Sequence, residues 1–209
     1  NLPVTNGYED PHRIWIKFDY GLPVIITIEV TENLEAFIVR DSQDVAYDPI
    51  NNRYLMVYER DIVEYTYSEI WGRFISADGV LGPEFPISEN TGCRYPKVVY
   101  NPKNKTFLVT WQNGGDYLIY AQILDDKGDP YGEKGNFAVC PEPETVYGQN
   151  APAVAVNTET GFYLIAWDDQ ADEDNLKREI YGQLLDEDGN QVGGRLNLIS
   201  MEDPQVEPV

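Results

Sequence analysis

Three stretches of this chain repeat one pattern, and this repetition limits the possible folds more than any other feature of the sequence. The stretches are DVAYDPINNRYLMVY (44–58), KVVYNPKNKTFLVTW (97–111) and AVAVNTETGFYLIAW (153–167), which align without a gap. Successive copies start 53 and then 56 residues apart. A period of this length is typical of repeat architectures in which each copy is one supersecondary unit.

Each copy continues into a second half, at residues 69–88, 119–140 and 180–200. The second half of each copy has an apolar segment, a turn with glycine and a closing apolar segment. Together with the two apolar segments of the first half, each copy therefore contains four short strands. The segments are apolar on both faces, as in FYLIAW, which fits sheets packed between two neighbours. Four strands per repeat of ~50 residues indicate the blade of an all-β propeller.

The two ends of the chain predict a four-bladed β-propeller closed by its C-terminal strand. Segments 13–20, 23–30 and 34–41 read as three strands, and Pro204, Gln205 and Val206 repeat the opening of a copy in phase. Closure of this kind removes open sheet edges. We expect an N-terminal segment (1–12) and one domain (13–209), with blades at 13–41 plus 204–209, 44–88, 95–140 and 151–200.

The consensus PxVAYDPxxxxYLVxW…IYGQxLDxxGxxxGxxFxIS resembles a tandem repeat of extracellular bacterial and archaeal surface proteins. Residues 44–200 carry the resemblance. It implies propeller blades and a secreted or cell-surface location. It implies no particular chemistry, because one fold supports many functions. The chain begins with Asn1 rather than methionine, and we expect that a leader peptide was removed.

The charge of the chain excludes several partners. Its 36 acidic residues outnumber 15 basic ones, for a net charge of −21. Such a surface repels phosphate backbones, so nucleic acid is not an expected partner. The longest apolar run, 23–28, is far shorter than the ~20 residues that cross a bilayer, so no membrane insertion is predicted.

We predict that the chain is not an enzyme. His12 is its single histidine and lies near one end, whereas general acid–base, nucleophilic and zinc chemistry all depend on that residue. Glycoside hydrolysis needs only two carboxylates, so a carbohydrate-active enzyme is a remote alternative.

Clustered carboxylates make Ca²⁺ the one cofactor that we predict, since this ion prefers six to eight oxygen ligands. The same Asp and Gly residues are also favoured in ordinary turns, and the sequence leaves both interpretations open. One cluster lies between two strands of the last copy, and the other lies in the following hairpin. The proposed ligands are Asp168, Asp169, Asp172 and Asp174 in the first, and Asp186, Asp188 and Asn190 in the second.

Two further features predict covalent modification. Cys93 and Cys140 are an even count that is compatible with one disulfide in an oxidising compartment, although two buried thiols are the alternative. Asn104 begins the sequon Asn-Lys-Thr for N-glycosylation, but it also lies where a turn favours Asn.

Aromatic residues divide into two groups. Tyr58, Trp111 and Trp167 recur at one repeat position, which predicts packing between blades rather than ligand contact. A second group lies in connections, where a ligand could reach it. Its members are Tyr65, Tyr67, Tyr117 and Tyr147.

The leading functional hypothesis is a self-assembling subunit of an extracellular fibre or surface layer. Its partners would be other copies of itself, with Pro204, Gln205 and Val206 at the interface, and salt or Ca²⁺ would promote assembly. Whether that strand completes its own ring or a neighbour's stays open. The alternative is a lectin or adhesin that binds glycans or protein through one rim.

Overall fold

The computed structural model of the chain describes residues 39–63, 67–141, 148–170 and 178–199. These residues form strands, turns and loops and include no helix, so no helix among them could span a membrane. The strands are β1 (Val39–Asp48), β2 (Arg53–Val63), β3 (Tyr67–Ser76), β4 (Leu81–Pro86), β5 (Arg94–Asn101), β6 (Thr106–Gln112), β7 (Ile119–Leu124), β8 (Phe137–Ala138), β9 (Gln149–Val156), β10 (Tyr163–Gln170), β11 (Arg178–Leu185) and β12 (Gln191–Ile199).

The strands form three antiparallel sheets in chain order. The first sheet is β1-β2-β3-β4, the second is β5-β6-β7-β8 and the third is β9-β10-β11-β12. This confirms the prediction of an all-β chain with four strands in each copy of the repeat. The first strands adjoin one another, β1 beside β5 and β5 beside β9. That arrangement is consistent with consecutive units of a β-propeller.

One strand boundary differs from the prediction. The segment 34–41 was expected to form the outer strand of the preceding blade, yet β1 begins at Val39. Val39 pairs with Arg60, and an irregularity follows before Gln43 pairs with Tyr58. Because β2 extends to Val63, it provides partners that lengthen β1 beyond the start of the repeat.

Two apolar clusters hold the three sheets together. Every residue of β6 is buried: Phe107 and Val109 belong to the cluster shared with the first sheet, and Leu108 to the one shared with the third. Successive side chains of a strand point to opposite faces, which explains why the repeat is apolar on both. Trp111 and Trp167 are also buried, confirming their predicted packing role, and each such ring contributes about 1.5–3 kcal/mol by burial.

The first turn of each copy is built on an Asp or Asn that ends the first strand or directly follows it. Asp48 shows the design most fully. Its Oδ1 accepts hydrogen bonds from the backbone N–H groups of Ile50 (3.0 Å) and Asn51 (3.2 Å). Its Oδ2 accepts from Asn51 Nδ2 (2.7 Å) and Arg53 Nε (3.3 Å). Burial alone would raise the pKa of Asp48, but the hydrogen bonds from Asn51 and Ile50 outweigh it and lower the pKa below its usual value.

We expect Asp48→Asn to lower the free energy of unfolding at pH 7 by about 1–3 kcal/mol, because the NH2 group that replaces Oδ2 cannot accept hydrogen bonds from Asn51 and Arg53. Asn101 occupies the same repeat position, so the variant should fold. Folding lowers the pKa of Asp48; its stabilisation is therefore present above pH ~4 and is lost as the pH falls through the folded-state value. Denaturant titrations at pH 7 and pH 3 should show that the loss of unfolding free energy in Asp48→Asn is smaller at pH 3. Asp188→Asn, at an exposed turn position, is the control.

An equal loss of unfolding free energy at both pH values would contradict this prediction.

Candidate functional site

The three sheets have two common edges with different construction. The turn edge contains the connections between first and second strands and between third and fourth strands. They are 47–53, 75–82, 100–106, 156–163, 185–192 and, at the start of the longer β7–β8 connection (125–136), the turn at 124–132. The loop edge contains the remaining connections and adjoining strand ends, of which the structure describes 59–63, 67–70, 86–96, 112–119, 138–141, 148–152, 168–170, 178–180 and 197–199.

The turn edge repeats one design in every copy. In the hairpins between third and fourth strands, one side chain accepts the backbone N–H four residues later. The pairs are Ser76 with Val80 (3.0 Å), Asp125 with Asp129 (3.0 Å) and Asp186 with Asn190 (2.7 Å). The loop edge does not repeat in this way. Its connections between second and third strands are 64–66, 113–118 and 171–177, which differ in length and sequence.

Buried polar side chains join the sheets at the loop edge. Glu59, in the second half of the first sheet's second strand, accepts a hydrogen bond from the backbone N–H of Tyr95 (2.8 Å) in the second sheet. Gln112 holds the equivalent position in the next copy. Its Nε2 donates to the Gln149 carbonyl (2.6 Å) and to Asn150 Oδ1 (2.6 Å) in the third sheet. These contacts fix the start of each first strand against the preceding sheet.

The hairpin 113–118 is held from both sides. Within it, Asn113 accepts the N–H of Tyr117 (2.9 Å) at its carbonyl and donates from Nδ2 to Asp116 (2.8 Å). On one side, a Cβ on Gly114 would overlap the carbonyl of Gly92. On the other, a Cβ on Gly148 would lie 2.9 Å from Cβ of Tyr117. The absence of side chains at these glycines allows the neighbouring loops to pack backbone against backbone.

Tyrosines project from this fixed loop edge. Tyr95 is 41% exposed and Tyr117 is 58% exposed, and each has a φ of 58°. Tyr67 is exposed as well, so the predicted accessibility of Tyr67 and Tyr117 is confirmed. The sequence alone did not single out Tyr95. Tyr95 and Ala151 occupy the same repeat position and each precedes a proline, and this alignment was the signal that could have identified Tyr95.

The carboxylates of the second predicted calcium cluster form a turn. Both Asp186 oxygens accept hydrogen bonds: Oδ1 from the N–H groups of Asp188 (3.0 Å) and Asn190, and Oδ2 from Asn190 Nδ2 (2.9 Å). Burial raises the pKa of Asp186, but hydrogen bonds from Asn190 outweigh it and the pKa is lowered. These hydrogen bonds are those of the turn interpretation, and calcium binding at these residues stays a prediction.

The first predicted calcium cluster is divided. Asp168 and Asp169 are successive residues of β10 and point to opposite faces, so they do not converge on one ion. Asp169 is buried, with Oδ2 3.6 Å from Arg195 Nη1. Asp172 and Asp174 lie outside the described residues, and calcium binding there stays a prediction. Within the part of the chain that the structure describes, no group of three or more His, Cys, Asp or Glu side chains is arranged to hold a metal ion.

The cysteines and the sequon both have structural roles. Cys93 packs in the cluster between the first and second sheets, whereas Cys140 packs between the second and third. The second sheet separates them and no disulfide joins them, which corrects that prediction. Burial raises the pKa of the Cys93 thiol. Asn104 Nδ2, where a glycan would attach, donates to the Glu187 carbonyl (3.1 Å).

Several predicted residues lie outside the described part of the chain. They are His12, Tyr65, Tyr147, Pro204, Gln205 and Val206.

Comparison with known proteins returned a distant structural likeness. No family model matches the chain, and no curated protein matches it. One similar solved structure belongs to work described as "The GH130 family of mannoside phosphorylases contains glycoside hydrolases that target beta-1,2 mannosidic linkages in Candida mannan". Its TM-score is 0.48 at 11% identity, with 78% of this chain and 52% of that chain covered. The chain thus spans about half the length of that structure.

The prediction of a self-assembling structural subunit is corrected. The similar structure comes from a family of carbohydrate-active enzymes and not from a filament or surface layer. The strand that was expected to complete a neighbour's ring, at Pro204, Gln205 and Val206, lies outside the described residues.

We expect Gly114→Ala to lower the free energy of unfolding by about 1–3 kcal/mol, because the added Cβ would force the 113–118 hairpin away from Gly92. Gly115→Ala is the matched control, since its Cβ would meet only Asn113 Nδ2, at an ordinary 3.7 Å. Denaturant unfolding of both variants tests the close approach. Equal stability of the two would show that the hairpin is not held in this way.

Proposed function

We propose that this chain is a non-catalytic, extracellular binding module of the β-propeller type, and that its loop edge contacts the ligand. The observation that carries the proposal is the difference between the two edges. At the turn edge the same side-chain-to-backbone hydrogen bonds recur in each copy, although the β7–β8 connection is longer than its counterparts. At the loop edge the described contacts between sheets differ from copy to copy. In repeat proteins, such variation on one face is typical of the binding face, because scaffold residues must repeat and ligand contacts need not.

The construction of the loop edge supports binding over a purely connecting role. Glu59 and Gln112 fix the neighbouring first strands, and the hairpin 113–118 is packed between two glycines. Exposed tyrosines therefore project from a backbone that is already ordered. An ordered surface loses less conformational entropy on binding, which favours affinity.

We also propose that a fourth blade, formed by residues 13–38 and 204–209, closes the ring. Equivalent repeat positions support this. Leu55 and Leu108 each face the next sheet and are fully buried, whereas their counterpart Leu164 on the third sheet is 37% exposed. Phe107 and Tyr163 are likewise buried against the preceding sheet, and their counterpart Tyr54 on the first sheet is 40% exposed. The repeat thus places apolar side chains on two faces where a further blade would cover them.

Leucine-to-alanine substitutions at equivalent positions test the closure. If a fourth blade covers the third sheet, Leu164→Ala should lower the free energy of unfolding by about 2–5 kcal/mol, as expected for a core leucine, because it leaves a cavity. Leu108→Ala, at the same position of the preceding copy, gives the loss of unfolding free energy for a leucine that is known to be buried. Denaturant titration of both variants in the full chain gives the comparison. A cost at Leu164 below ~1 kcal/mol would show that this face is open to water.

Site-selective blocking tests the binding proposal. Thr91→Cys at the loop edge and Ala77→Cys at the turn edge are both exposed, and the native cysteines are buried, so a polymer-linked maleimide should react at the new thiol. Glycan and peptide arrays probed with the unlabelled chain identify a ligand. We expect the loop-edge label to reduce binding of that ligand about tenfold or more and the turn-edge label to leave it unchanged. Equal effects of both labels would contradict the proposal.

A further inference from the structure

We infer that Tyr95 and Tyr117 are two stacking platforms for a neutral oligosaccharide. This inference rests on the proposed binding role of the loop edge and names the class of ligand. Three observations carry it: both tyrosines have a backbone conformation that glycine would adopt more easily, both rings are exposed, and both backbones are fixed.

The backbone conformation shows that these positions are costly for a tyrosine. A φ of 58° lies in the left-handed region, where a residue with a Cβ is disfavoured by about 1–2 kcal/mol and glycine is not. Residues held in such regions concentrate at functional sites. Asn52, Lys105 and Ala151 also have a positive φ, so the conformation distinguishes Tyr95 and Tyr117 only together with the exposure of their large side chains.

The repeat provides an internal comparison for Tyr95. Ala151 occupies the equivalent position in the next copy, also before a proline, and has a φ of 46°. The irregularity at the start of the first strand is thus formed with a methyl side chain as well. The ring of Tyr95 is not needed for the local fold, and its exposure leaves it available to a ligand.

Tyr117 is held at both of its backbone groups. Its N–H donates to the Asn113 carbonyl (2.9 Å), and its carbonyl accepts from the N–H of Gln149 (2.8 Å). The neighbouring Asp116 accepts from Asn113 Nδ2 and from Tyr120 Oη (3.0 Å). The ring therefore projects from a fixed hairpin, and stacking a ligand on it costs little additional conformational entropy.

The surrounding chemistry favours a neutral glycan. A tyrosine ring is apolar on its faces and polar at its tip, which matches a pyranose with one apolar face and peripheral hydroxyls. The net charge of −21 disfavours polyanionic ligands. An extended peptide would need free N–H groups along β5, but Glu59 accepts from Tyr95 and Asp44 Oδ2 accepts from Val98 (3.0 Å).

Calorimetric titration of the full chain with neutral gluco-, manno-, galacto- and xylo-oligosaccharides tests the inference. We expect Tyr95→Ala and Tyr117→Gly each to reduce affinity about tenfold or more, while Tyr95→Phe and Tyr117→Phe bind within about threefold of wild type. Tyr131→Ala is the matched control: it removes a ring that is 40% exposed at the turn edge and should leave affinity unchanged.

The thermal stability of the Tyr117→Gly variant provides a second test of the inference. We expect Tyr117→Gly to leave the thermal unfolding midpoint unchanged or to raise it, because glycine relieves the left-handed conformation. A lowered midpoint would mean that the ring has a packing role, and would overturn the inference.

The outcomes separate this inference from the proposed function. Neutral oligosaccharide binding that survives both tyrosine substitutions would overturn the pair as stacking platforms. An array ligand that is a peptide or an anionic glycan, and that the loop-edge label blocks, would overturn the ligand class and leave the loop edge as the binding surface. Binding that the loop-edge label does not affect would overturn both.

Discussion

Side chains from both faces of β6 fill the two junctions between neighbouring sheets, and the rest of the described structure depends on this double burial. Phe107 and Val109 pack towards the first sheet and Leu108 towards the third. A strand buried in this way cannot alternate between apolar and polar residues, because neither face meets water. The same requirement determines the arrangement of the sheets, since each must present one face to the copy before it and one to the copy after it.

The two edges of the sheets divide the tasks of the molecule. At the turn edge, Asp or Asn side chains provide hydrogen-bond acceptors for tight turns, and the design recurs because each copy needs the same chain reversal. At the loop edge, the sheets are joined by side chains that differ between copies, such as Glu59 and Gln112. Their chemistry can vary because a carboxylate and an amide both reach the neighbouring backbone. Because the loop edge can differ between copies, it can include exposed tyrosines while the hydrogen-bonded turns at the opposite edge stay the same.

Several features of the site could be predicted from the sequence, and several could not. The packing role of Trp111 and Trp167 followed from their regular spacing, and the exposure of Tyr67 and Tyr117 from their position in connections. The cysteine pair was misjudged, because an even count carries no information about the sheet that lies between the thiols. The Asp186 cluster was ambiguous, since Asp and Gly at that spacing suit a cation and a turn equally. The structure adds the hydrogen bonds that Asp186 accepts from the N–H groups of Asp188 and Asn190, which form the turn.

The sequence by itself determined the strand content and the number of strands per copy, because periodic apolar segments and turn residues are local signals. It also determined which aromatic positions pack between sheets, because those positions recur. The tertiary structure alone decided which side chains share an edge and which backbones are held in a costly conformation. Tyr95 and Tyr117 lie in different connections of the chain, and only the packing of the sheets places both on the loop edge. Asn113 holds the backbone of Tyr117 within its own hairpin, but the contacts of Tyr95 with Glu59 and of Tyr117 with Gln149 form only once the sheets have packed.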